Sequence, residues 1–351
     1  MYSCINHIAI KGISACVPKQ IVKTMDYGWI TEEERKLFIK STGVEERRVA
    51  SLNSITSDYC EKATNHLLSK LNWEKESVDV LIFVSQSMDY YLPATSAILQ
   101  HKLGFKKEVI AFDINLGCSG YNYGLYVISN LLASGSLKRG ILLTGDTSTL
   151  STNYKDKSTY PLFGDAGSAT ALEFDTDAKP IHFNLFTDGS GYKSIVVEDG
   201  GARNQFSEKS FIEHKISEGI ERCSKNLVLD GIEVFNFALK EVASSINQLF
   251  NDSKLNINDI DYFVFHQANK LINESVRKKC RIESEKTPYS IDKFGNTSSA
   301  SIPLTMIYKL KDELKNKSLN LLLSGFGVGY SWGNCIIQTN KIVCTDILEI
   351  E

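Results

Sequence analysis

The chain has 351 residues, 42% of them hydrophobic, which is ample for a large core and excludes a disordered polypeptide. With 39 Lys and Arg against 42 Asp and Glu, the formal net charge of −3 leaves no basic signature for nucleic acid. Eight cysteines without a C-x-x-C pair exclude the spacing of zinc sites and disulfide frameworks, and the absence of a leader pattern or a long apolar run points to a reduced, soluble, cytoplasmic protein without a membrane partner.

In chain order, Ile5 to Ile13 alternates loosely as a strand, and polar Thr31 to Lys40 reads as a surface helix ended by Thr42-Gly43. Ser57 to Leu71 is a second helix. Val78 to Val84 is a continuous apolar run of the kind buried on both faces of a parallel sheet. Pro93 opens or precedes a helix over Ala94 to Leu103. Val109 to Ile114 is a strand, and beyond a bend of small residues Leu125, Ile128 and Leu132 recur at helical spacing. On that helix Gly120 and Gly124 share a face and allow close packing. Gly140 to Gly145 is another buried strand, and Phe163-Gly164-Asp165-Ala166-Gly167-Ser168 leads into a strand over Ala169 to Phe174. Asp175 to Pro180 is a polar connector and divides the chain into halves, 1–175 and 176–351.

The pattern then starts again. Asp79-Val80-Leu81-Ile82-Phe83-Val84 has a counterpart in Asp261-Tyr262-Phe263-Val264-Phe265-His266, and Asn115-Leu116-Gly117-Cys118-Ser119 has one in Lys293-Phe294-Gly295-Asn296-Thr297. Lys138 to Gly145 is echoed by Ser318 to Gly325. Three matches in the same order read as a duplication. Packed about a pseudo-two-fold axis, the halves bring Cys118 and Asn296 to corresponding helix starts, with His266 at the carboxyl end of a strand, where α/β sheets hold ligands.

Cys118 is the candidate nucleophile. At a helix N-terminus the free amides and the macrodipole favour thiolate, so a lowered thiol pKa is expected. Bland readings stand beside the chemical ones. A free cysteine is among the most buried residue types, a histidine at a strand end serves as a satisfied core residue, an asparagine caps a helix, and Gly327 and Gly329 make an ordinary turn. The convergence of three such residues from separate segments favours chemistry.

Four signatures, Asn115-Leu116-Gly117-Cys118-Ser119-Gly120, Phe265-His266-Gln267-Ala268-Asn269, Phe294-Gly295-Asn296-Thr297-Ser298-Ser299-Ala300-Ser301 and Gly325-Phe326-Gly327-Val328-Gly329-Tyr330-Ser331-Trp332-Gly333, resemble those of β-ketoacyl-acyl-carrier-protein synthase III, in the family's order. Thr42 to Arg47 and Phe163 to Ala169 are similar to its structural segments. The resemblance implies an α/β, thiolase-like fold of two βαβαβ-type halves in α-β-α-β-α layers, and a homodimer. It implies that Cys118 takes an acyl group from a thioester, and that His266 and Asn296 stabilise the enolate as a malonyl thioester loses CO₂. The tetrahedral oxyanion falls to the amides of Cys118 and the Gly327-Val328-Gly329 loop. No cofactor is implied beyond the phosphopantetheine of acyl carrier protein, or coenzyme A, that carries the substrates.

The chain also departs from the pattern. Leu37, Ser41 and a residue near Leu150 stand where many members have the Trp and two Arg that hold the adenine of coenzyme A, which implies weak affinity for coenzyme A or a donor on another carrier. Leu92 replaces a phenylalanine that limits the acyl pocket from the partner subunit. Leu271 replaces an arginine that docks the carrier protein, leaving Lys270, Arg277, Lys278 and Lys279 as a basic docking face or a merely solvated one. Extra residues fall between Gly200 and Asn226. Acyl transfer to an alcohol or amine, and a catalytically silent partner subunit of another synthase, are the competing functions.

Overall fold

The computed structural model describes residues 1–351. Two sheets carry the architecture. In spatial order the first contains Val343–Cys344, Ile8–Pro18, Ala166–Phe174, Arg139–Asp146, Val80–Val84 and Ile110–Ile114, with Leu348–Ile350 also paired to Ile8–Pro18. The second contains Tyr2–Ile5, Ile181–Thr187, Ser331–Asn340, Ser318–Gly327 and Tyr262–Phe265. From Ile8–Pro18 to Val80–Val84 the successive pairings are antiparallel, antiparallel and parallel, and from Ile181–Thr187 to Tyr262–Phe265 they follow the same order. The duplication seen in the sequence is therefore a duplication of topology. Two aspartates mark its register. Asp79 Oδ2 accepts from the amides of Lys138 and Arg139 at 2.7 and 3.2 Å, and Asp261 Oδ2 accepts from the amide of Asn320 at 2.7 Å.

Between the sheets lie the helices Gly120–Leu132 and Ser301–Asn316, and further helices cover the outer faces. Strand periodicity feeds both sides: Val80, Ile82 and Val84 face the central helices, while Leu81 and Phe83 face Thr56–Leu71 and Thr95–Leu103. This is why Val80–Val84 has no polar residue. The glycines of the first central helix set its distance from the sheet. A Cβ on Gly120 would stand 2.6 Å from Val84 Cγ1, and one on Gly124 would stand 2.6 Å from Leu142 Cδ1.

Several expected elements change on folding. The single strand over Ile5 to Ile13 is two strands in different sheets, because the chain turns at His7 (φ +67°). The surface helix spans Glu32–Thr42. It is opened by a reciprocal capping box between Thr31 and Glu34 and closed by left-handed Gly43 at φ +80°. Asp175 to Pro180 links Ala166–Phe174 of the first sheet to Ile181–Thr187 of the second, yet the chain ends cross over. Tyr2–Ile5 joins the second sheet, and Val343–Cys344 and Leu348–Ile350 join the first.

The residues between Gly200 and Asn226 belong to an excursion whose base is the ribbon Ile195–Val197 with Leu227–Leu229, and whose tip is the hairpin His214–Ser217 with Ile220–Arg222. It is tied down by an Arg222–Asp156 ion pair at 2.9 Å and by Trp29 Nε1, which donates to the Gly219 carbonyl at 3.1 Å. No helix is long and apolar enough to cross a membrane.

Candidate active site

Cys118 sits in the bend between Ile110–Ile114 and Gly120–Leu132. The bend demands small residues. A Cβ on Gly117 would lie 2.5 Å from Gln86 Oε1, and one on Gly325 would lie 3.0 Å from the Cys118 carbonyl oxygen. Of the eight cysteines, six are buried and Cys4 is on the surface, whereas Cys118 is half-buried and lines a cavity of about 370 Å³. His266, Asn296, Gly327 and Val328 line the same cavity.

The expected thiol acidity is reversed. Burial pushes the Cys118 thiol up to about 11; the Val328 amide favours the thiolate, the Asp146 carboxylate opposes it, and Ser298 and the residue's own amide help less. The helix start supplies amides, but it supplies them in a place where a thiolate loses its water, and that loss outweighs them.

His266 follows Tyr262–Phe265 directly and is 1% exposed. Its Nδ1 lies 2.7 Å from Ser301 Oγ, which also accepts the Gln267 amide at 3.3 Å. With the Ser301 hydroxyl assigned as donor to Nδ1, the ring proton sits on Nε2. Burial holds the imidazole down to about 3, a backbone hydrogen bond at Ser298 opposing weakly, so the ring is neutral at ordinary pH.

Asn296 reconciles the capping and chemical readings. Its Oδ1 accepts the Ser298 amide at 2.9 Å, an Asx turn that starts the descent into Ser301–Asn316. Its Nδ2 makes only a long contact of 3.5 Å to the Ala268 carbonyl, so one amide proton is unused beside the cavity. The backbone is pinned to the Phe163-Gly164 segment: the Asn296 amide donates to Leu162 at 2.9 Å and the Gly164 amide donates to Asn296 at 3.0 Å. A side chain on Gly164 would run into the Phe294 carbonyl, which explains that motif's glycine.

The glycine loop closes on the sulfur. The Ser331 hydroxyl and amide both donate to the Val328 carbonyl, at 2.9 and 3.1 Å, and Ser119 Oγ lies 2.6 Å from Ser331 Oγ. The turn is thus fixed from the residue next to Cys118.

Other expected residues lie elsewhere. Leu92 is 86% exposed and does not line the cavity of its own protomer. The basic face is smaller than expected, because Arg277 turns inward to Glu274 at 2.8 Å and to the Ile282 carbonyl at 2.6 Å. Its hydrogen bonds need those partners, so it is spent in the fold. Lys279 Nζ reaches the Leu239 carbonyl at 2.9 Å, while Lys270 and Lys278 are exposed. Leu37 and Leu150 are exposed and outside the cavity.

The sequence reading missed part of the cavity. Ile195, Val197, Leu227 and Leu229 form an apolar wall, and short β-branched runs in a long connection carry no signal for that. Asp146 and Ser298 also face the cavity. Asp146 was detectable as an acidic residue at the carboxyl end of a buried strand.

Paired sheets enclosing two helices, with a pseudo-symmetric repeat of strand order, define a thiolase-like fold, here with a cysteine at the first repeat's helix entrance. Residues 112–189 match the family model for 3-oxoacyl-[acyl-carrier-protein] synthase III, and residues 250–339 match the model for its C-terminal part. The chain is 32% identical over 337 residues to a β-ketoacyl-[acyl-carrier-protein] synthase III of Clostridium acetobutylicum, covering 96% of this chain and 100% of that one. A Streptococcus agalactiae protein of the same name is 32% identical, with 94% of this chain and 98% of that one covered. The crystal structure of a 3-oxoacyl-(acyl-carrier protein) synthase from Burkholderia xenovorans superposes with a TM-score of 0.94 at 35% identity, covering 100% of this chain and 99% of that one. The chain belongs to the β-ketoacyl-acyl-carrier-protein synthase III family.

Proposed function

We propose that this protein condenses an acyl thioester with malonyl-acyl-carrier protein, with loss of CO₂, through an acyl group held on Cys118. The half 1–175 supplies the nucleophile and the half 176–351 supplies the decarboxylation pair. Cys118 Sγ attacks the thioester carbonyl, and the amides of Cys118 and Val328, which already aim at the sulfur, take the oxyanion that forms beside it. The malonyl thioester then binds in the same cavity. As its carboxylate leaves as CO₂, charge grows on the thioester oxygen, and the His266 Nε2–H and the unused Asn296 amide proton stabilise it. A neutral imidazole suits this task, since it donates a hydrogen bond to the enolate oxygen without protonating the carbanion. The carbanion attacks the acyl-enzyme carbonyl, the bond from that carbon to Sγ breaks with its electron pair on sulfur, and the Cys118 thiolate takes a proton from water.

The observation that carries this reading is the state of Asn296. Its oxygen is bound and one of its two amide hydrogens is unused beside the cavity that holds Cys118 and His266, an arrangement a pure helix cap does not require.

Exposed Lys270 and Lys278 support docking of an acidic carrier protein beside the cavity, and exposed Leu37 and Leu150 at the adenine-clamp positions support a carrier-bound rather than coenzyme A-bound donor. A homodimer is supported by the edge strand Ile110–Ile114, which is paired on one side only, and by exposed Tyr90, Tyr91 and Leu92. Eight free cysteines fit a reducing cytoplasm.

Incubation with acyl thioesters, followed by malonyl carrier protein, tests the proposal by the covalent mass increment and by CO₂ release. No increment on Cys118 would sink it. An increment without CO₂ release would favour transfer to an alcohol or amine.

A further inference from the structure

The glycine loop that closes on Cys118 is held from two sides. On the side of the sulfur, Ser331 and Ser119 fix the Val328 carbonyl; on the other side stands Gly329, which has no side chain, and then Tyr330. Tyr330 is 7% exposed and is clasped along its whole length. Its amide donates to the Asp188 carbonyl at 3.0 Å, and the Asp188 amide donates back at 2.9 Å. Its ring stacks on Phe237 with centroids 4.1 Å apart and planes 7° from parallel. The same ring lies so close over Gly191 that a β-carbon there would stand 2.2 Å from two of its carbons. Its hydroxyl donates to Ser194 Oγ at 2.7 Å.

Ser194 and Phe237 both belong to the apolar side of the cavity. Ser194 directly precedes Ile195–Val197, and its carbonyl accepts the Asp230 amide at 2.8 Å where the ribbon passes into the helix Gly231–Phe237. Ile195, Val197, Leu227 and Leu229 of the ribbon, with Gly231 and Val234 of the helix, line the cavity that holds Cys118. The ribbon has two strands of three residues, and neither pairs with a main sheet. Such a ribbon is marginal by itself, so its position depends on what packs against it and on what fills the cavity. Tyr330 grips both parts of this wall, the ribbon by its hydroxyl and the helix by its ring. Three residues earlier in the chain is Gly327, which abuts Cys118 Sγ.

We propose that Tyr330 is a positioning residue, the strut through which the apolar wall, once occupied by the arm of the acyl donor, sets the glycine loop around Cys118 Sγ. This rests on reading Cys118 as the acylated nucleophile. An arm that delivers a thioester to Cys118 shares the cavity with this wall. Contact made there, remote from the reacting carbon, is then expressed as a better-placed loop in the transition state and not as tighter binding. The Tyr330–Ser194 hydrogen bond is the link to cut, because the stack on Phe237 survives its loss. Tyr330 touches no reacting atom and acts through the loop.

The test uses the full-length protein and thioesters of acetate and octanoate on two arms, pantetheine and the truncated N-acetylcysteamine. Cys118 acylation is followed by intact mass over a range of thioester concentrations, which separates the maximal rate from the half-saturating concentration. In Tyr330→Phe and in Ser194→Ala, the maximal rate with the pantetheine thioesters is expected to fall about fivefold, the scale of one neutral hydrogen bond, at an unchanged half-saturating concentration. The cysteamine thioesters are expected to keep their wild-type rates. Ser194→Thr, which keeps a hydroxyl, is expected to behave as wild type. The double variant Tyr330→Phe/Ser194→Ala should match either single variant, since both cut the same bond. Wild-type rates with the pantetheine thioesters in both single variants overturn the proposal. So does an equal loss on both arms, which marks general packing, or a double variant whose losses add. Wild-type protein that none of these thioesters acylates overturns the reading of Cys118 itself.

Discussion

Gly327 presses its α-carbon against Cys118. A β-carbon there would stand 2.7 Å from Cys118 Cβ and 2.9 Å from Sγ, closer than side-chain atoms approach one another. Gly327→Ala therefore has to displace the sulfur or open the loop that carries the Val328 amide. A fall in Cys118 acylation of about a hundredfold is expected, the scale of losing one oxyanion donor. The thermal midpoint should move little, because the site is a cavity wall and not the central core. Acylation measured by intact mass, beside a melting curve, checks both halves of this expectation.

Asn296→Ala deletes a donor to the cavity and an acceptor for the Ser298 amide. CO₂ release from malonyl carrier protein is expected to fall about a hundredfold, while Cys118 acylation stays within severalfold of wild type. Loss of the Asx turn costs about 1 kcal/mol of stability. Slowed acylation of the same size as the slowed decarboxylation would show that the residue only shapes the site.

Ser301→Ala leaves His266 in place but removes the hydroxyl that assigns its tautomer. Decarboxylation is expected to drop about tenfold, and acylation to be unaffected. Restoration by Ser301→Thr, which keeps the hydroxyl, would separate tautomer control from packing, and failure of the threonine variant would count against it.

The pH behaviour of His266 follows from its depressed pKa, about 3 in the folded protein against 6.5 for a free imidazole. Between these values the unfolded chain binds a proton that the native protein does not. The stabilisation is therefore fully present above 6.5 and is lost as pH falls toward 3, by a few kcal/mol in all. Urea midpoints should decline between pH 7 and about 4 in the wild type and less steeply in His266→Asn. Decarboxylation should show no acid limb near 6.5, and an acid limb there would mean that the ring titrates normally.

Much of this was legible before folding. The repeat was visible because both faces of Val80–Val84 and Tyr262–Phe265 are covered, so their sequences are almost free of polar residues and easy to align. The placement of Cys118 and Asn296 in tight bends was readable because Gly117, Gly120 and Gly295 flank them where close contacts leave no room for a side chain, and His266 stood out as the polar residue that ends an apolar strand. What the sequence concealed depends on three-dimensional company. The thiol's pKa turned on burial, which local helix geometry does not report. Arg277 looked available on a helix face, but Glu274 lies one turn back and claims it. The cavity wall of Ile195, Val197, Leu227 and Leu229 comes from a ribbon whose strands are three residues each, too short for a period to register.

The edge of the first sheet yields a last prediction. Ile110–Ile114 pairs with Val80–Val84 on one side and with nothing on the other, and Ile110 is 41% exposed. Such an edge offers unpaired amides and carbonyls to a second copy, and no lysine or proline interrupts it. Exposed Tyr90, Tyr91 and Leu92 lie in the loop after Val80–Val84, the neighbouring strand, and add apolar surface. Ile110→Lys places a charge on the edge and is expected to weaken self-association at least about tenfold, read by sedimentation across a concentration series. Leu92 has no contact with the cavity of its own protomer, so an effect of Leu92→Ala on acyl chain-length preference would have to be delivered across that interface. The preference should shift in Leu92→Ala, and this shift should vanish when Ile110→Lys has made the protein monomeric. A dimer that survives Ile110→Lys unchanged, or a Leu92→Ala protein with wild-type preference, would place the interface elsewhere.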